Sequence, residues 1–470
     1  MSFRRKSPGP RVRGDDDSLP AARSALIVSI ASPEAVHTDR FGPKAANLAR
    51  LGHAGLPIPH GFCVDADAYR LQIAAAGLEI HVRRVASSDA GEARRAALAM
   101  KLGLLEAPIA PAVLEPLLDA WRALSASGAQ TVVRSSALVE DRFGASFAGQ
   151  FESYLGLESQ DEFLTAVRSC WAALWATRVL RYMATHDASP ADTAMAVLVQ
   201  PLIAARVSGG GLSRTADGDM VLTAAMGLGS AIAQGEVVPD RFLLSRAGAL
   251  RAASAGYVEH RRGCVHATSL AAAGRSSGVS EPTLGVARVR ELGVLLRECE
   301  EAMGMPVEIE WALDGAGFKL LQARPLHVQA PAVPEEIWLR HPGLNGHPAG
   351  VGWGSGRACV VSCECELARV APGDVLVTRV AGPSLSQVLL RVAGVVAELG
   401  GSTSHLAALA RERGIPAVFG VPEATTRIPD GARIAVDGVA GIVRWLPTNR
   451  RPDEGRGQGS VSAGSRPAPG

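Results

Sequence analysis

The sequence predicts a mixed α/β protein in two parts, a large N-terminal one and a small C-terminal one. Short β-branched apolar runs alternate with longer Ala/Leu-rich runs of helical periodicity, as in proteins that pack helices on sheets. A proline-containing stretch without periodicity, residues 328–348, separates the two parts and is predicted to be a linker. At 470 residues the chain is long enough for two or three domains, each with its own core.

The N-terminal part, residues 25–327, shows its elements in a clear order. A short strand is predicted from Leu26 to Ile30, a helix over 42–55 that ends at Gly55 and Pro57, and a strand entry at 61–64. Further on we predict helices over 92–125, 161–186 and 283–304, and strands over 130–137, 194–203 and 218–227. The segment 307–326 is typical of a β-hairpin with Asp314-Gly315 in its turn.

The C-terminal part, residues 349–446, has short strand patterns around one clear helix. Strands are predicted at 358–362, 374–380, 394–399, 433–438 and 441–445, and the helix runs from near His405 to Gly414, with Pro416 just beyond. The two ends of the chain, residues 1–24 and 447–470, have the polar and proline-rich composition of disordered segments.

Composition and charge exclude several functional classes. The chain is 47% hydrophobic and 20% charged, an ordinary globular balance. A net charge of +2 and an aromatic content of 4% argue against a nucleic-acid binder. No run approaches about 18 apolar residues, so we expect no membrane span. The N-terminus lacks the apolar core of a secretory signal, and seven cysteines make no disulfide framework, so a cytoplasmic protein is expected.

His405 is the residue whose position most strongly suggests chemistry. It follows a predicted buried strand and a Gly-Gly turn, and Ser402, Thr403 or Ser404 can cap the helix that begins there. Free backbone N–H groups at a helix N-terminus favour a bound anion and disfavour imidazolium, which keeps the ring neutral and nucleophilic at pH 7. Two interpretations remain open from the residues alone: a polar helix cap, or a nucleophile that carries a phosphoryl group.

The segment GGSTSHLAALARERGIPAVFGV, residues 400–421, resembles the phosphohistidine loop of phosphoenolpyruvate synthases and pyruvate phosphate dikinases. It differs at Leu406, where that family usually has alanine. The resemblance implies a small swivelling β/β/α domain in which His405 is the catalytic phosphoryl carrier. Thr403 and Ser404 beside it could bond phosphoryl oxygens.

Two N-terminal segments resemble the ATP-grasp nucleotide-binding domain of the same family. The first is FGPKAANLARLGHAGLPIPHGF, residues 41–62, and the second is VVRSSALVEDRFGASFAGQFESYLGL, residues 132–157. The resemblance implies that ATP phosphates are bound by residues of both segments: Lys44, Arg134, Ser135, Ser146 and Gln150. Without it, Lys44 would be interpreted as a solvated surface lysine and Arg134 as a salt-bridge partner at the end of a strand.

The hairpin supplies a third anchor. Glu310 and Gln322 lie on its two arms and could present oxygens to Mg²⁺, which takes few protein ligands together with substrate phosphates. Arg324 lies two residues on from Gln322, so it shares that face and could neutralise charge on a transferring group. The family pattern implies nucleotide-binding roles for all three residues. The alternative is a hairpin with polar residues on its solvent face.

The resemblance makes an ATP- and Mg²⁺-dependent phosphotransferase the first hypothesis. Its acceptor would be a pyruvate-like small molecule or a separate protein chain, because no acceptor-binding barrel is expected in these 470 residues. The alternative is a catalytically retired ATP-binding regulatory or scaffold protein, suggested by departures from the family pattern at Phe41, Pro43, Ser230 and Gly209–Ser213. The cluster Cys359, Cys363 and Cys365 has no standard zinc spacing, which leaves free thiols or a metal site open.

Overall fold

The computed structural model describes residues 25–140, 151, 153–184, 188–257, 282–326, 328, 341 and 343–446. The two ends of the chain and most of the predicted linker lie outside these ranges. Helices are as follows: α1 Thr38–His53, α2 Ala66–Ala75, α3 Glu79–Ser87, α4 Ala90–Glu106, α5 Pro111–Ser125, α6 Gln160–Ala173, α7 Thr177–Ala184, α8 Ser230–Ala233, α9 Val286–Met303, α10 His405–Glu412 and α11 Ala424–Arg427.

The first sheet of the N-terminal part has five strands in the order β1-β2-β5-β3-β4. These strands are β1 Ile27–Ser29, β2 Phe62–Val64, β3 Thr131–Ala137, β4 Ser153–Leu157 and β5 Met195–Pro201. All neighbouring strands in it run antiparallel. An apolar cluster joins this sheet to helices α2 and α4 to α7, with Trp171 and Phe163 fully buried at its centre.

The second sheet has six antiparallel strands in the order β11-β10-β6-β7-β8-β9. Its strands are β6 Val207–Leu212, β7 Met220–Met226, β8 Asp240–Leu244, β9 Leu250–Ser254, β10 Val307–Leu313 and β11 Phe318–Pro325. Helices α1 and α9 pack against it around Trp311, Leu292 and Leu48. The N-terminal part is therefore two sheets with a helical layer beside each.

The C-terminal part is built on an eight-stranded sheet in the order β12-β19-β18-β14-β15-β16-β17-β13. Its strands are β12 Gly343–Asn345, β13 His347–Pro348, β14 Trp353–Val361, β15 Val375–Thr378, β16 Gly394–Ala397, β17 Ala417–Phe419, β18 Arg433–Asp437 and β19 Ile442–Trp445. The middle strands β14 to β17 are parallel, and helix α10 crosses from β16 to β17. We call this part the mobile domain.

Most predicted elements are present, and the differences have physical causes. Two long predicted helices are each broken. Residues 92–125 form α4 and α5, separated where Pro108 and Pro111 interrupt the helical hydrogen bonds. The predicted helix 161–186 is divided into α6 and α7 as far as Ala184, and its last two residues lie outside the described ranges. The mobile domain's sheet begins at Gly343, inside the stretch that the sequence predicts as a linker. Taken singly, none of the described helices is long and apolar enough to cross a bilayer; α4 and α5 reach that length only as a pair bent by 56°.

Candidate active site

A cavity of about 580 Å³ lies between the five-stranded and the six-stranded sheet. Residues from both sheets and from the mobile domain line it, so it is closed by three separate parts of the fold. The sequence-predicted residues that it brings together are Lys44, Arg134, Glu310, Gln322, Arg324, Thr403 and His405. Three predicted cations and one imidazole thus share a space of the size that small-molecule sites have, and Arg178, which was not singled out from the sequence, also lines it.

Lys44 reaches the cavity because α1 is interrupted just before it. Gly42 has φ 70, and a Cβ at that position would lie 2.3 Å from the carbonyl oxygen of Ser136, so only glycine fits. After this break the helix resumes, and the Lys44 Nζ donates to the carbonyl oxygen of Ser135 at 2.8 Å and to Glu140 at 3.3 Å. Glu140 was not singled out from the sequence.

Arg134 connects the two sheets across the cavity. Its guanidinium extends from β3 and donates to the carbonyl oxygen of Leu321, to Gln322 Oε1 at 3.0 Å and to Glu310 Oε2 at 3.3 Å. The side chain is only 13% exposed. Because a guanidinium is planar and carries five N–H donors, it can bind these partners and phosphate oxygens from one fixed position.

The hairpin has the register that places its polar residues on one face. Glu310 pairs with Gln322 and Glu308 with Arg324 across β10 and β11, beyond a register shift between Glu310 and Trp311. Glu310 and Gln322 therefore offer two neighbouring oxygens, a hard donor set that suits Mg²⁺. Both oxygens also accept from Arg134, so a cation there would share them with that guanidinium. The residues present fit a magnesium ion held partly by substrate phosphates.

His405 is the first residue of α10. Ser404 is the N-cap residue, and its hydroxyl accepts from the backbone N–H of Ala407 at 3.3 Å. The pKa of His405 lies below its ordinary value, first because the ring is buried and then because Arg324 and Lys44 are close; Glu310 opposes them. The direction agrees with the prediction of a neutral, nucleophilic imidazole.

A buried ion triad joins the mobile domain to the hairpin. The Glu308 carboxylate lies 3.0 Å from Arg324 on the adjacent strand and 2.7 Å from Arg411 in α10. All three side chains are less than 10% exposed. Burial raises the pKa of Glu308, but the two guanidiniums outweigh that effect and hold the pKa below its ordinary value. The sequence identified Arg324, whereas its partner Glu308 and the bridging Arg411 were not assigned a role there.

Close backbone contacts complete the docked arrangement. Thr403 Oγ1 lies 2.7 Å from Thr223 Oγ1 on β7, and a Cβ at Gly210 on β6 would come within 2.6 Å of Thr403. A Cβ at Gly401 would meet Pro239 at 2.7 Å. The mobile domain therefore approaches the six-stranded sheet so closely that side chains have no room at these glycines.

Some predicted site residues do not reach the cavity. Ser135 is buried, and it meets Lys44 through its backbone carbonyl group. Ser404 is also fully buried, with its hydroxyl engaged in capping the helix. Ser146 and Gln150 lie outside the described residues. A phosphate-binding role for these four residues stays a prediction.

The departures from the family pattern have separate structural settings. Phe41 is fully buried in the core, and Pro43 follows the Gly42 break. Ser230 lines the cavity at the start of α8, and Gly209 and Gly210 line it from β6. Only the last three positions can therefore affect a bound nucleotide directly.

The cysteine cluster lies away from this cavity. Cys359 is buried on β14, whereas Cys363 and Cys365 lie at the surface with their Sγ atoms 2.7 Å apart. Across the described ranges, no group of three or more His, Cys, Asp or Glu side chains is arranged to hold a metal ion.

Comparison with known proteins decides the family. The model for the pyruvate phosphate dikinase AMP/ATP-binding domain matches residues 38–339, and the model for the PEP-utilising enzyme mobile domain matches residues 370–441. The chain belongs to the pyruvate phosphate dikinase and phosphoenolpyruvate synthase family. The predicted fold, an ATP-grasp domain followed by a small mobile domain, is thereby confirmed.

Two similar curated proteins are both named phosphoenolpyruvate synthase. The phosphoenolpyruvate synthase of Aeropyrum pernix is 32% identical over 456 residues, which cover 86% of this chain and 56% of that protein. The phosphoenolpyruvate synthase of Escherichia coli is 30% identical over 442 residues, covering 87% and 56%. The chain thus spans little more than half the length of these relatives.

Proposed function

We propose that this chain is an ATP-dependent phosphotransferase that moves a phosphoryl group from ATP to His405. The observation that carries the proposal is that His405 lines the same cavity as Lys44, Arg134 and Arg324. These cations come from three separate segments of the nucleotide-binding domain. A cavity that brings these cations and a neutral imidazole together suits a polyphosphate and a nucleophile better than it suits a structural helix cap.

The chemistry follows from the groups in the cavity wall. The ATP phosphates would be held by Lys44 and Arg134, which are already positioned by carbonyl and side-chain partners. Glu310 and Gln322 would hold Mg²⁺, which when bound neutralises phosphate charge. An imidazole nitrogen of His405 attacks the β-phosphorus of ATP, the bond from that phosphorus to the oxygen shared with the α-phosphate breaks, and AMP leaves. Water then cleaves the bond to the γ-phosphate, which is released as phosphate, so one phosphoryl group remains on His405. Arg324 stabilises the charge on the transferring group. The family resemblance implies AMP and phosphate as products of the full cycle.

The docked position of the mobile domain is central to this step. The Glu308 carboxylate pairs with both Arg324 and Arg411. It therefore holds in place the guanidinium that would face the phosphoryl group, and it also holds the helix that carries His405. Transfer from phosphohistidine to an acceptor then requires this contact to open. Since the relatives are named phosphoenolpyruvate synthases, a pyruvate-like carboxylate is the first acceptor to test, supplied by a further domain or by a partner chain.

The test is phosphoenzyme formation. Purified protein is incubated with Mg²⁺ and ATP labelled at the β-phosphate, with a γ-labelled sample beside it, and each is quenched in base. With β-labelled ATP we expect the wild type to carry a label that is stable in base and lost in acid, and we expect no label on His405→Ala. The γ-labelled sample should leave no label, because the γ-phosphate is released. Equal labelling of the variant would refute the role of His405. ATP binding by calorimetry without label under any condition would instead favour the retired ATP-binding protein.

A further inference from the structure

A second cavity, of about 620 Å³, lies between α7 and the mobile domain. We call it the arginine cleft because four arginines line it. Arg178 and Arg181 come from α7, Arg391 from the turn before β16, and Arg413 from the residue after α10. Each domain therefore contributes two guanidiniums. Arg178 also lines the nucleotide cavity, so the two spaces are neighbours.

The charge in the arginine cleft is one-sided. None of the described residues that line it is Asp or Glu. The neighbouring carboxylate of Glu412 accepts a hydrogen bond from the Tyr182 hydroxyl and is not part of the lining. Four cations around one concave space repel one another and attract anions, and low-dielectric walls strengthen that field.

Two of the guanidiniums are held in place by contacts that leave most of their donors for other partners. The Arg413 guanidinium lies over the Tyr182 ring, 5.2 Å from its centroid, a contact that needs no N–H group. Arg391 donates one N–H to the carbonyl oxygen of Leu367 at 3.2 Å. Since a guanidinium has five donors in a planar fork, both can bind carboxylate or phosphate groups bidentately.

The remaining walls are largely apolar, with Thr177, Ser386 and Gln387 as further polar residues, and they suit an organic body between the charged ends. Val388, Leu389 and Leu409 line the cleft from the mobile domain, and Leu367 borders it. The volume falls in the range of small-molecule sites and is too small for a macromolecule to enter. The combination of apolar floor and arginine rim matches a compact molecule with several acidic groups.

We propose that the arginine cleft binds a small organic polyanion, with two or more carboxylate or phosphate groups, that holds the mobile domain against the nucleotide-binding domain. A molecule that bridges Arg181 and Arg391 contacts both domains and is bound only while they are docked. By thermodynamic linkage, the factor by which the bound ligand raises the docking equilibrium constant equals the factor by which docking raises the affinity for the ligand. The binding does not depend on phosphoryl transfer.

The ligand in this cleft would act as an effector. It lies too far from His405 in the docked arrangement to accept a phosphoryl group. His405 begins α10 and lines the nucleotide cavity, whereas Arg413 follows the end of the same helix and lines the arginine cleft. Eight residues of α-helix separate them by about 12 Å along the axis. While the domains are docked, the helix itself lies between the carrier nitrogen and the cleft.

The test is isothermal titration calorimetry with two probes: citrate and 3-phosphoglycerate. Metal is omitted, because citrate chelates it. We expect saturable binding of at least one probe to the full chain, at least tenfold weaker binding to Arg181→Met and to Arg391→Met, and none to the double variant. The methionine keeps most of the aliphatic stem and removes the charge. The matched control is Arg122→Met, which alters an arginine that is 58% exposed on α5.

A further variant and a second readout separate this site from the nucleotide cavity. Lys44→Met should abolish nucleotide binding and leave polyanion binding unchanged. The bound probe should raise the midpoint of thermal unfolding of the wild type and leave that of the double variant unchanged. A cooperative unfolding transition of the double variant without probe shows that this variant is folded. Failure of both probes to bind would overturn the proposal. So would loss of binding in Lys44→Met, or unchanged affinity in the double variant.

Discussion

Replacing Glu308 by glutamine tests whether one buried carboxylate holds the two domains together. The substitution keeps the shape of the side chain and removes its charge. In the native protein the carboxylate lies 3.0 Å from Arg324 and 2.7 Å from Arg411, and neither arginine is more than 9% exposed. Removal of a partner from a buried ion pair costs about 3–5 kcal/mol, because charges then stay buried without compensation.

The chain contains a matched control for this change. Glu300 on α9 also lies between two arginines, at 2.7 Å from Arg214 and 3.1 Å from Arg246, but all three residues belong to the nucleotide-binding domain. Those arginines are 49% and 37% exposed, so Glu300→Gln should cost only about 1 kcal/mol. Both variants replace a glutamate that lies between two arginines by glutamine. They differ in whether that carboxylate connects the two domains.

The assay measures stability and phosphoenzyme formation on both variants. Urea unfolding should show the larger loss for Glu308→Gln. If about 3 kcal/mol of that loss falls on docking, the rate of His405 labelling should fall by about two orders of magnitude, since 1.36 kcal/mol is tenfold. ATP binding should change much less. Labelling that falls equally in Glu300→Gln and Glu308→Gln would refute the argument that the triad acts by docking the mobile domain.

Three further predictions concern the same interface and its titrating groups. Gly401→Ala should slow labelling at least tenfold with ATP affinity retained, because its Cβ would lie 2.7 Å from Pro239 of the nucleotide-binding domain; Gly285→Ala, which meets nothing within 4 Å, is the control, and equal rates would contradict this. The labelling rate should stay constant as pH falls through 6.5, because the pKa of His405 is below its ordinary value; a midpoint at 6.5 or above in the rate profile would contradict it. Burial lowers the pKa of His347 from 6.5 to about 4. On acidification, the His347 ring is therefore protonated near pH 6.5 in the unfolded chain and only near pH 4 in the native protein. The free energy of unfolding should therefore fall on acidification between these values, by at most about 3 kcal/mol, and His347→Asn should lose that component in urea titrations at several pH values.

Part of the site could be predicted from the sequence because its geometry is local. An Asp-Gly pair between two strand patterns of period two predicts a hairpin at this place, and the structure has one. The pairing of Glu310 with Gln322 depends also on a bulge between Glu310 and Trp311, which shifts the register and which the sequence pattern does not indicate. The same period places Glu308 on the face of Glu310. In the His405 loop, a strand, two glycines and a hydroxyl residue before an alanine-rich run predict the helix start, and Ser404 caps it.

The remainder of the site depends on contacts between distant segments. Arg411 meets Glu308 across 103 positions of the sequence, and no local pattern indicates such a pair. Strand β6 contains three consecutive glycines, which disfavour strand formation on propensity alone. Their reason is tertiary: Gly209 lies against the Thr223 carbonyl oxygen and Gly210 against Thr403, where any side chain would clash.

The measurement that most directly tests the central claim is the site of phosphorylation. The wild-type protein is incubated with Mg²⁺ and ATP, kept in base, digested, and analysed by mass spectrometry with a fragmentation method that preserves phosphohistidine. The account predicts one phosphoryl group on the peptide that contains His405, and none on that peptide from Glu308→Gln at the same early time. A phosphoryl group on another residue, with His405 unmodified at every time, would contradict it.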